Sequence, residues 1–312
     1  MRQAGRDAGV GRLAAGWYCS AMRLAILAAP ESWYARDLAR AAGPAHEVAI
    51  LPFDRIAARV SAGGTEVGTA GQSLAAFDAV LVRTMPPGSL EQVVFRMDCL
   101  ARLEAAGTLV INPPRAIEAA VDKFLTTARL QAAGLPTPAT LACQTVDEAI
   151  AGFETLGGDV VVKPLFGSEG RGIARLTDPA LAQRAFKMLT QLGAVLYLQP
   201  FIPHQGYDLR LLILGDEVLA IRRVSETDWR TNLSRGARAE PFVPDDALIA
   251  LARRAAKAVG APLAGVDLLP GRDGHVYVLE VNAVPGWKGL ARAWQIDVSR
   301  RVIDWLAAHC RR

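Results

Sequence analysis

The chain has 312 residues, of which 51% are hydrophobic and 21% charged, and its formal net charge is +4. This composition excludes a disordered protein, and the length allows two or three domains with a well-buried core. Its arginines are interspersed with acidic residues, so nucleic-acid binding is not indicated, and no apolar run is long enough to span a membrane. Four widely spaced cysteines and four scattered histidines lack metal-ligand spacing, which favours reduced thiols in a cytoplasmic protein.

The first 21 residues contain arginines and only a short apolar stretch, at 13–18, and they lack a clear cleavage site. These features make a poor signal peptide. The first convincing strand, at 23–28, directly follows Met22. We therefore expect residues 1–21 to be a disordered tail or an extension created by the choice of start codon.

Short apolar strands alternate with amphipathic helices from Met22 onwards. The predicted strands are 24–28, 47–51, 77–83 and 109–112, and the predicted helices are 32–42 and 90–106. This alternation predicts a parallel α/β sheet, whose ligands lie beyond the carboxyl ends of the strands. Arg83 ends such a strand, so it is a candidate to contact an anionic substrate group. A solvent-exposed loop arginine is an equally good interpretation.

A second segment follows the boundary at Pro113-Pro114. We predict helices at 115–133, 146–156 and 179–192, and strands at 160–163 and 195–199. In the final third, strands at 207–214 and 217–223 are separated by a Gly-Asp turn, which predicts a hairpin.

A strand near the C-terminus carries two oxygen ligands two residues apart, Glu280 and Asn282. Alternate strand residues point to the same face. Asp267 lies on another predicted strand, and the Gly-rich linker 270–274 would join the two strands as a hairpin. Hard oxygen ligands of this kind suit Mg²⁺. For Glu280 and Asn282 alone, an ordinary hairpin with outward polar residues is the simpler interpretation.

The glycine-rich loop 167–172 follows a predicted strand that ends at Lys163. Glycines let the backbone approach phosphates closely, although the spacing here matches neither a P-loop nor G-x-G-x-x-G. A lysine in an apolar strand needs an anionic partner if it is buried. A flexible surface turn and a lysine that reaches solvent are the alternatives.

The segment 221–236 is dense in arginine, asparagine and serine, and Asp208 and Arg210 lie on the preceding strand. Guanidinium groups suit bidentate recognition of carboxylates and phosphoryl groups. The Gln-Pro-Phe-Ile-Pro sequence at 199–203 indicates a stiff connector, whose backbone carbonyls suit recognition of an adenine amino group.

Taken in this order, these elements resemble the ATP-grasp superfamily, and in particular its RimK-type branch of glutamate ligases. The resemblance covers roughly residues 22–310 and rests on the joint order of the motifs rather than on any one of them. The matching pieces are Asp122-Lys123, Val-Val-Lys163-Pro-Leu-x-Gly-Ser-x-Gly-x-Gly172, Gln199-x-Phe-Ile, Asp208-Leu-Arg210, Arg222-Arg223 with Trp-Arg-Thr-Asn232-Leu-Ser-Arg-Gly236, Gly-Val-Asp267-Leu and Glu280-Val-Asn282-x-x-Pro-Gly.

The resemblance implies an α/β fold of the ATP-grasp type (α+β in its ATP-binding part). It implies a parallel N-terminal pre-ATP-grasp domain at 22–114, a central lid subdomain at 115–198 and a C-terminal subdomain at 199–312. The two subdomains would clasp ATP. Relatives in this family often form dimers or tetramers, so a homo-oligomer is expected.

The resemblance also implies a role for each motif. Lys123 and Lys163 would contact nucleotide phosphates, and the loop with Gly167, Ser168, Gly170 and Gly172 would cover them. The expected adenine segment comprises Gln199, Phe201 and Ile202, and Asp208 is counted with the nucleotide site. Asp267, Glu280 and Asn282 would ligate two Mg²⁺ or Mn²⁺ ions, and Arg210, Arg223 and Asn232 would face the reacting carboxylate and the γ-phosphate.

Three departures from the family pattern concern the connector at 199–203, called the hinge below, and the acceptor. Pro200 stands where many relatives have Glu, which removes a backbone N–H. Trp287 and Lys288 follow the metal strand, and they would either contact a ring-bearing anionic acceptor or, for Trp287, pack in the core. The sequence after Arg83 also differs from the usual loop. With Arg235, these residues are the candidates for the acceptor site.

The implied reaction is ATP-dependent amide formation through an acylphosphate, with glutamate added to a small-molecule cofactor precursor or to a peptide or protein C-terminus. A pterin-like acceptor is one possibility. A ligase similar to D-alanine–D-alanine ligase or glutathione synthetase is an alternative within the fold. A nucleotide-binding regulatory module without turnover is the alternative from another class.

Overall fold

The computed structural model describes residues 21–167 and 170–310. The expected tail at 1–21 lies almost entirely outside this part of the chain, and Ser168 lies entirely outside it. The N-terminal region contains two sheets and two helices. Its elements are β1 (Arg23–Leu27), α1 (Trp33–Ala42), β2 (Glu47–Leu51), β3 (Ile56–Ser61), β4 (Gly64–Thr69), β5 (Gln72–Ser73), β6 (Ala79–Val82), α2 (Leu90–Ala105) and β7 (Leu109–Ile111).

The main N-terminal sheet is parallel, as predicted, and its strand order is β2-β1-β6-β7. Its two central strands, β1 and β6, are almost fully buried. The chain proceeds outwards from β1 in one direction and from β6 in the other, so the crevice at their carboxyl ends is a topological switch point, where sheets of this kind bind ligands. The small antiparallel sheet β3-β4-β5 was not predicted, because its exposed residues show no apolar alternation.

The single helix predicted at 115–133 is in fact two helices, α3 (Pro114–Val121) and α4 (Lys123–Ala132). The break falls at Asp122, which has extended backbone angles and whose side chain accepts a hydrogen bond of 2.9 Å from the N–H of Leu125. An aspartate in this position caps a new helix. The break therefore makes Lys123 the first residue of α4.

The central region forms a four-stranded antiparallel sheet with two helices packed on it. Its elements are β8 (Leu141–Cys143), α5 (Val146–Thr155), β9 (Val160–Pro164), β10 (Ala174–Leu176), α6 (Pro179–Gln191) and β11 (Leu196–Pro200). The strand order is β10-β9-β11-β8. Phe153 and Phe186 from the helices pack with strand residues into a hydrophobic core separate from the two other cores of the protein.

The C-terminal region forms a five-stranded antiparallel sheet of order β14-β13-β12-β15-β16. Its elements are β12 (Tyr207–Leu214), β13 (Glu217–Val224), β14 (Arg238–Pro241), α7 (Asp246–Val259), β15 (Leu263–Pro270), β16 (Val276–Asn282), α8 (Lys288–Trp294) and α9 (Val298–His309). Both predicted hairpins, β12–β13 and β15–β16, are present.

The N-terminal and C-terminal regions share their cores. Apolar residues of β1, β6, α3, α4, α7 and β15 belong to one cluster. Buried Asn112, just after β7, links the main N-terminal sheet to the C-terminal region. Its side-chain nitrogen donates to the carbonyl oxygens of Leu263 and Ala283, and its side-chain oxygen accepts from the N–H of Leu263. No helix within 21–167 and 170–310 has the length and apolar character to cross a membrane.

Candidate active site

A cleft between the central and C-terminal sheets brings together half of the candidate site residues singled out in the sequence. They make up half of its lining, and they come from α4, both sheets and the loops between them. They are Lys123, Lys163, Gln199, Phe201, Ile202, Asp208, Arg223, Asn232, Asp267 and Glu280. Lys123 and Glu280, which are far apart in the sequence, thus face one space.

Lys163 lies near the end of β9, half-buried in this cleft. Its ammonium group donates a 2.7 Å hydrogen bond to the side-chain oxygen of Gln199. Loss of hydration lowers the pKa of Lys163 to about 8, against the opposing attraction of Glu280. Within the described residues the lysine therefore has a neutral partner and no salt bridge, which suits a group that waits for an anionic ligand.

Lys123 reaches the same cleft from the first turn of α4. Its ammonium group donates a 2.8 Å hydrogen bond to the carbonyl oxygen of Gly167, at the start of the glycine-rich loop. Burial lowers its pKa, again with Glu280 acting in the opposite direction. Two lysines thus border the loop that was predicted to cover phosphates.

The described part of the glycine-rich loop approaches the Arg-rich segment. A side chain on Gly170 would clash with the side-chain oxygen of Asn232, and Gly170 has φ +69°, so only glycine fits there without strain. Arg230 donates a 3.2 Å hydrogen bond to the carbonyl oxygen of Ile173, just beyond the loop. These contacts place Asn232 at the interface between loop and C-terminal sheet.

The hinge segment after β11 carries the aromatic side of the cleft. The Phe201 ring lies edge-on to Trp229, with centroids 5.7 Å apart, and the guanidinium of Arg175 lies 3.5 Å from the Phe201 centroid. Because the N–H of Phe201 donates to the carbonyl of Asp159 and Pro200 has none, neither residue offers an N–H to a base. What Pro200 and Phe201 offer to a base is therefore their carbonyl oxygens and the face of the Phe201 ring.

Two arginines and two aspartates alternate in a buried row across β12, β13 and β15. Arg223 donates to both oxygens of Asp208, at 2.7 and 2.5 Å, and to one oxygen of Asp267 at 2.9 Å. Arg210 donates to the other oxygen of Asp267 at 2.5 Å. Burial alone would raise the pKa of Asp267, but the two guanidinium groups hold it below its ordinary value.

This pairing restricts what the row can do. Arg210 does not line the cleft, whereas Arg223 does, with its Nε and Nη2 hydrogens donated to carboxylates. In this arrangement the two arginines hold the two aspartates in place, and of the two only Arg223 borders the cleft. Arg230, which was not singled out, lines the cleft with a side chain 23% exposed.

The oxygen-ligand set lies on the neighbouring strands β15 and β16. Asp267 is directly opposite Glu280, and Asn282 is opposite Gly265, so the three side chains share one face of the sheet. The register shifts immediately beyond Asp267, where Leu279 is the extra residue of a β-bulge, a feature that re-aims neighbouring side chains. The half-buried Glu280 carboxylate has no hydrogen bond or ion pair with any other residue in the described part of the chain.

The three oxygen ligands differ in how available they are to a hard divalent cation. The described residues contain no cluster of three or more His, Cys, Asp or Glu side chains that could hold a metal by themselves. Glu280 is available, Asp267 is shared with two arginines, and the Asn282 oxygen accepts a 2.8 Å bond from the N–H of Val284. Two carboxylates, one amide and phosphate oxygens of a bound nucleotide are the kind of ligands that Mg²⁺ takes.

The four acceptor candidates are dispersed, and one of them is not available to a ligand. Trp287 is only 1% exposed, and its indole N–H donates a 3.2 Å hydrogen bond to the hydroxyl of Ser299. It therefore packs in the core, which is the second of the two roles considered for it. Lys288 is exposed, with its ammonium 5.2 Å from the centroid of the Trp33 ring, and Arg235 contacts Asp228 at 3.4 Å.

Arg83 is buried at the switch point of the N-terminal sheet, directly after β6. It is 5% exposed and donates one 2.8 Å hydrogen bond to the carbonyl of Pro285, three residues beyond Asn282. The guanidinium carbon lies 4.2 Å from the Trp287 centroid and 4.9 Å from that of Tyr34. Its other nitrogens, Nε and Nη1, have no hydrogen-bond partner in the part of the chain that the structure describes, and burial lowers its pKa to about 10. The loop-arginine interpretation is therefore wrong.

Family models match almost the whole chain. The RimK PreATP-grasp domain matches residues 22–117, and the RimK-like ATP-grasp domain matches residues 120–306. This chain belongs to the RimK-type ATP-grasp family. It is an ATP-dependent ligase that forms an amide, and ATP with a divalent metal is the family's cofactor requirement.

Similar proteins cover most of the chain. It is 34% identical to a tetrahydromethanopterin:alpha-L-glutamate ligase of Methanosarcina acetivorans, over 89% of this chain and 96% of that protein. It is 30% identical to a ribosomal protein bS6–L-glutamate ligase of Escherichia coli, over 92% and 96%. Among solved structures, the ATP-grasp ligase PsnB with a minimal precursor has a TM-score of 0.74 at 27% identity, over 92% and 98%.

Several lining residues were missed by sequence reasoning. Val161, Ile173 and Leu269 contribute apolar walls, and Thr231 adds a hydroxyl. Apolar residues that line a cleft carry the same strand pattern as core residues, so no local signal distinguishes them. Trp229 and Arg230 did carry a signal, because they lie inside the Arg-rich segment.

Proposed function

We propose that this ligase joins L-glutamate to an acceptor carboxylate, on a small-molecule cofactor precursor or at the C-terminus of a peptide or protein. The observation that carries the proposal is the charge arrangement of the cleft. Among residues 21–167 and 170–310, Lys123 and Lys163 have no salt bridge and the Glu280 carboxylate has no partner. All three face a common space, next to a row of arginines that is already neutralised. That arrangement leaves positive charge for phosphates and one oxygen ligand for a cation.

The reaction that fits this site has two steps. A carboxylate oxygen of the acceptor attacks the γ-phosphorus of ATP, and ADP leaves, which gives an acylphosphate. The amino nitrogen of glutamate then attacks the acyl carbon; phosphate leaves, the nitrogen loses a proton, and an amide remains. Positioning and charge stabilisation supply most of the catalysis in phosphoryl transfer, so the chain needs no nucleophile of its own.

The residues of the cleft divide this work. Lys123 and Lys163 bind and orient phosphate oxygens, and the glycine-rich loop with Gly167, Gly170 and Gly172 excludes water above them. Asn232 would contact the γ-phosphate, a role supported by its closeness to Gly170 of the loop. Arg210 and Arg223 act one step back, because they hold Asp208 and Asp267 in position.

Asp267, Glu280 and Asn282 would hold the divalent metal, and we propose that two Mg²⁺ or Mn²⁺ ions bind there. Such ions offset the charge of the triphosphate and orient its terminal phosphate. Gln199, Phe201 and Ile202 form the hinge side of the cleft, where the ring faces of Phe201 and Trp229 offer a stacking surface for the base.

For the acceptor, we propose the surface between the N-terminal switch point and the end of β16. The two unpartnered nitrogens of Arg83 are an unusual cost for a buried cation, and an anionic group of the acceptor would offset it. We keep Lys288 and Arg235 as further candidates to contact the acceptor, although they lie apart, by Trp33 and by Asp228. Trp287 supports Arg83 from the core side and does not touch the acceptor.

ADP release measured with L-glutamate and two acceptors, tetrahydromethanopterin and a peptide with the C-terminal sequence of bS6, tests this proposal. We expect ADP and a glutamylated product, detected by mass spectrometry, with one of them. Lys163→Ala should abolish ADP formation, whereas Lys187→Ala, at an exposed lysine on α6, should not. MgATP binding without turnover by any acceptor and amino acid would instead support the regulatory module.

A further inference from the structure

A row of buried polar side chains lies directly beneath the phosphate-binding side of the cleft. The side-chain oxygen of Gln199 accepts from Lys163 at 2.7 Å, and its nitrogen donates to the hydroxyls of Tyr197 and Thr140, each at 2.9 Å. The Tyr197 hydroxyl in turn lies 2.8 Å from that of Thr127, on α4. The row thus runs from β9 across β11 to the helix that begins with Lys123.

The direction of the Gln199 hydrogen bonds is fixed by chemistry. An ammonium group can only donate, so the Gln199 oxygen must face Lys163, and both amide hydrogens then go to the two hydroxyls. The Tyr197 oxygen accepts from Gln199, and the Tyr197 and Thr127 hydroxyls share a further hydrogen bond in which either one can donate. An amide flipped by 180° would point its nitrogen at the ammonium. Gln199 therefore has one allowed orientation.

The row is rigid as well as directed. Tyr197 is 1% exposed and Gln199 is 2% exposed, so solvent cannot substitute for either partner. They lie two residues apart on β11 and therefore face the same side of the sheet, with Tyr197 directly opposite Lys163 in the register. Thr127 follows Lys123 by four residues, which puts both on the same face of α4.

We propose that Thr127, Tyr197 and Gln199 are positioning residues that fix the spacing between the ammonium groups of Lys123 and Lys163, and so set the affinity for the phosphates of the nucleotide. This inference rests on the proposed function, since it assumes that the two lysines bind phosphate. It gives the Gln199 side chain a role beneath the phosphates, whereas adenine contact at the hinge falls to the backbone and the aromatic rings.

A neutral amide is the group that this role requires. A carboxylate at 199 would pair with Lys163 and compete with the phosphate for its charge. An apolar side chain would leave the ammonium without an acceptor in a half-buried position. Glutamine holds the ammonium in place by one hydrogen bond and leaves its charge uncompensated until the nucleotide arrives.

Calorimetric titration with the non-hydrolysable ATP analogue AMPPNP and Mg²⁺, and separately with adenosine, tests the proposal on the full chain. Tyr197→Phe and Thr127→Val should each weaken AMPPNP binding by about fivefold to tenfold and change adenosine binding less than about twofold, because one hydrogen bond behind the phosphates is lost. Tyr277→Phe and Thr155→Val, whose hydroxyls bond elsewhere to Asp273 and to the carbonyl of Ala151, are the matched controls.

Gln199→Glu provides a second and sharper measurement. It preserves the size of the side chain, and we expect it to weaken AMPPNP binding by at least tenfold while far-ultraviolet circular dichroism and adenosine affinity stay the same. In a Lys163→Met background, Tyr197→Phe should cause no further loss of AMPPNP affinity, because the three positioning residues then have no Lys163 ammonium to hold.

Three outcomes would overturn the positioning role of Thr127, Tyr197 and Gln199. They are equal losses for AMPPNP and adenosine, which would indicate a general structural role; wild-type AMPPNP affinity in the Tyr197 and Gln199 variants; and additive losses in the Lys163→Met background. Failure of the wild-type protein to bind AMPPNP would overturn the proposed function and the positioning role together. The three outcomes above would overturn the positioning role alone, so the two failures are distinguishable.

Discussion

The two ends of the site balance their charges in opposite ways. At the phosphate end, Arg210 and Arg223 are neutralised by Asp208 and Asp267, and the charges left for ligands belong to two lysines and to Glu280. At the acceptor end, Arg83 is equally buried but has one carbonyl partner and two unpartnered nitrogens. The arginines of the proposed phosphate end thus have carboxylates of the protein as counter-ions, whereas Arg83 has no such counter-ion among the described residues.

We propose that acceptor specificity resides at Arg83 rather than among the paired arginines. A self-balanced row of ion pairs holds its geometry in the absence of any ligand, which suits a nucleotide that is common to the whole family. A buried cation without a counter-ion gains most when an anion arrives beside it. We therefore expect substitutions at the phosphate end to affect rate and stability, and substitutions at the acceptor end to affect acceptor affinity.

The largest expected effect is that of Glu280→Gln at the phosphate end. The variant keeps the shape of the side chain but removes a carboxylate that has no partner among the described residues, so kcat should fall on the order of 10²–10³-fold. The rate of ADP formation measures it, with circular dichroism as the check on folding. Glu226→Gln, at an exposed loop residue, is the control. Normal turnover in the Glu280 variant would refute its assignment as a metal ligand.

The second effect concerns the stability of the balanced row. Arg223→Ala removes the partner of Asp208 and one partner of Asp267, so the free energy of unfolding should fall by about 3–5 kcal/mol. Arg222→Ala, on the same strand but with a side chain 44% exposed, should leave it nearly unchanged. Urea denaturation followed by fluorescence measures both. Equal losses in the two variants would show that the row is not self-balanced.

The third effect should distinguish the acceptor end. Arg83→Met replaces a buried cation lacking a counter-ion, so thermal stability should not fall, while KM for the acceptor should rise about tenfold and KM for ATP should not change. Steady-state kinetics with the acceptor identified by the ADP assay provides the test. Arg96→Met, at a buried arginine that bonds the carbonyl of Pro86, is the control. A change confined to KM for ATP would contradict the assignment.

The smallest effect is a pH dependence of nucleotide affinity. Burial lowers the pKa of Lys163 to about 8 in the free protein, and a bound phosphate would favour the charged form. Affinity for AMPPNP should therefore be full below about pH 8 and should weaken as the pH rises above it, by at most about tenfold per unit. Titrations at increasing pH measure this dependence. Lys163→Met should lack it; an identical dependence in that variant would assign it to another group.

The sequence by itself determined much of this protein. Strand and helix periodicity predicted the parallel N-terminal sheet and both C-terminal hairpins, and the spacing of Glu280 and Asn282 placed them on one face. These features are local, because they depend on alternation and turn residues within short segments. The order of the motifs then identified the family, which the comparisons with known proteins confirm.

Only the tertiary structure decided how the functional groups are paired. The break at Asp122 depends on one capping side chain, and the pairing of Arg210 and Arg223 with aspartates depends on the register of three strands. The fate of Trp287, which the sequence left open, was settled by packing against Ser299 and Arg83. Side-chain partners distant in sequence are set by how sheets and helices come together, which local patterns do not encode.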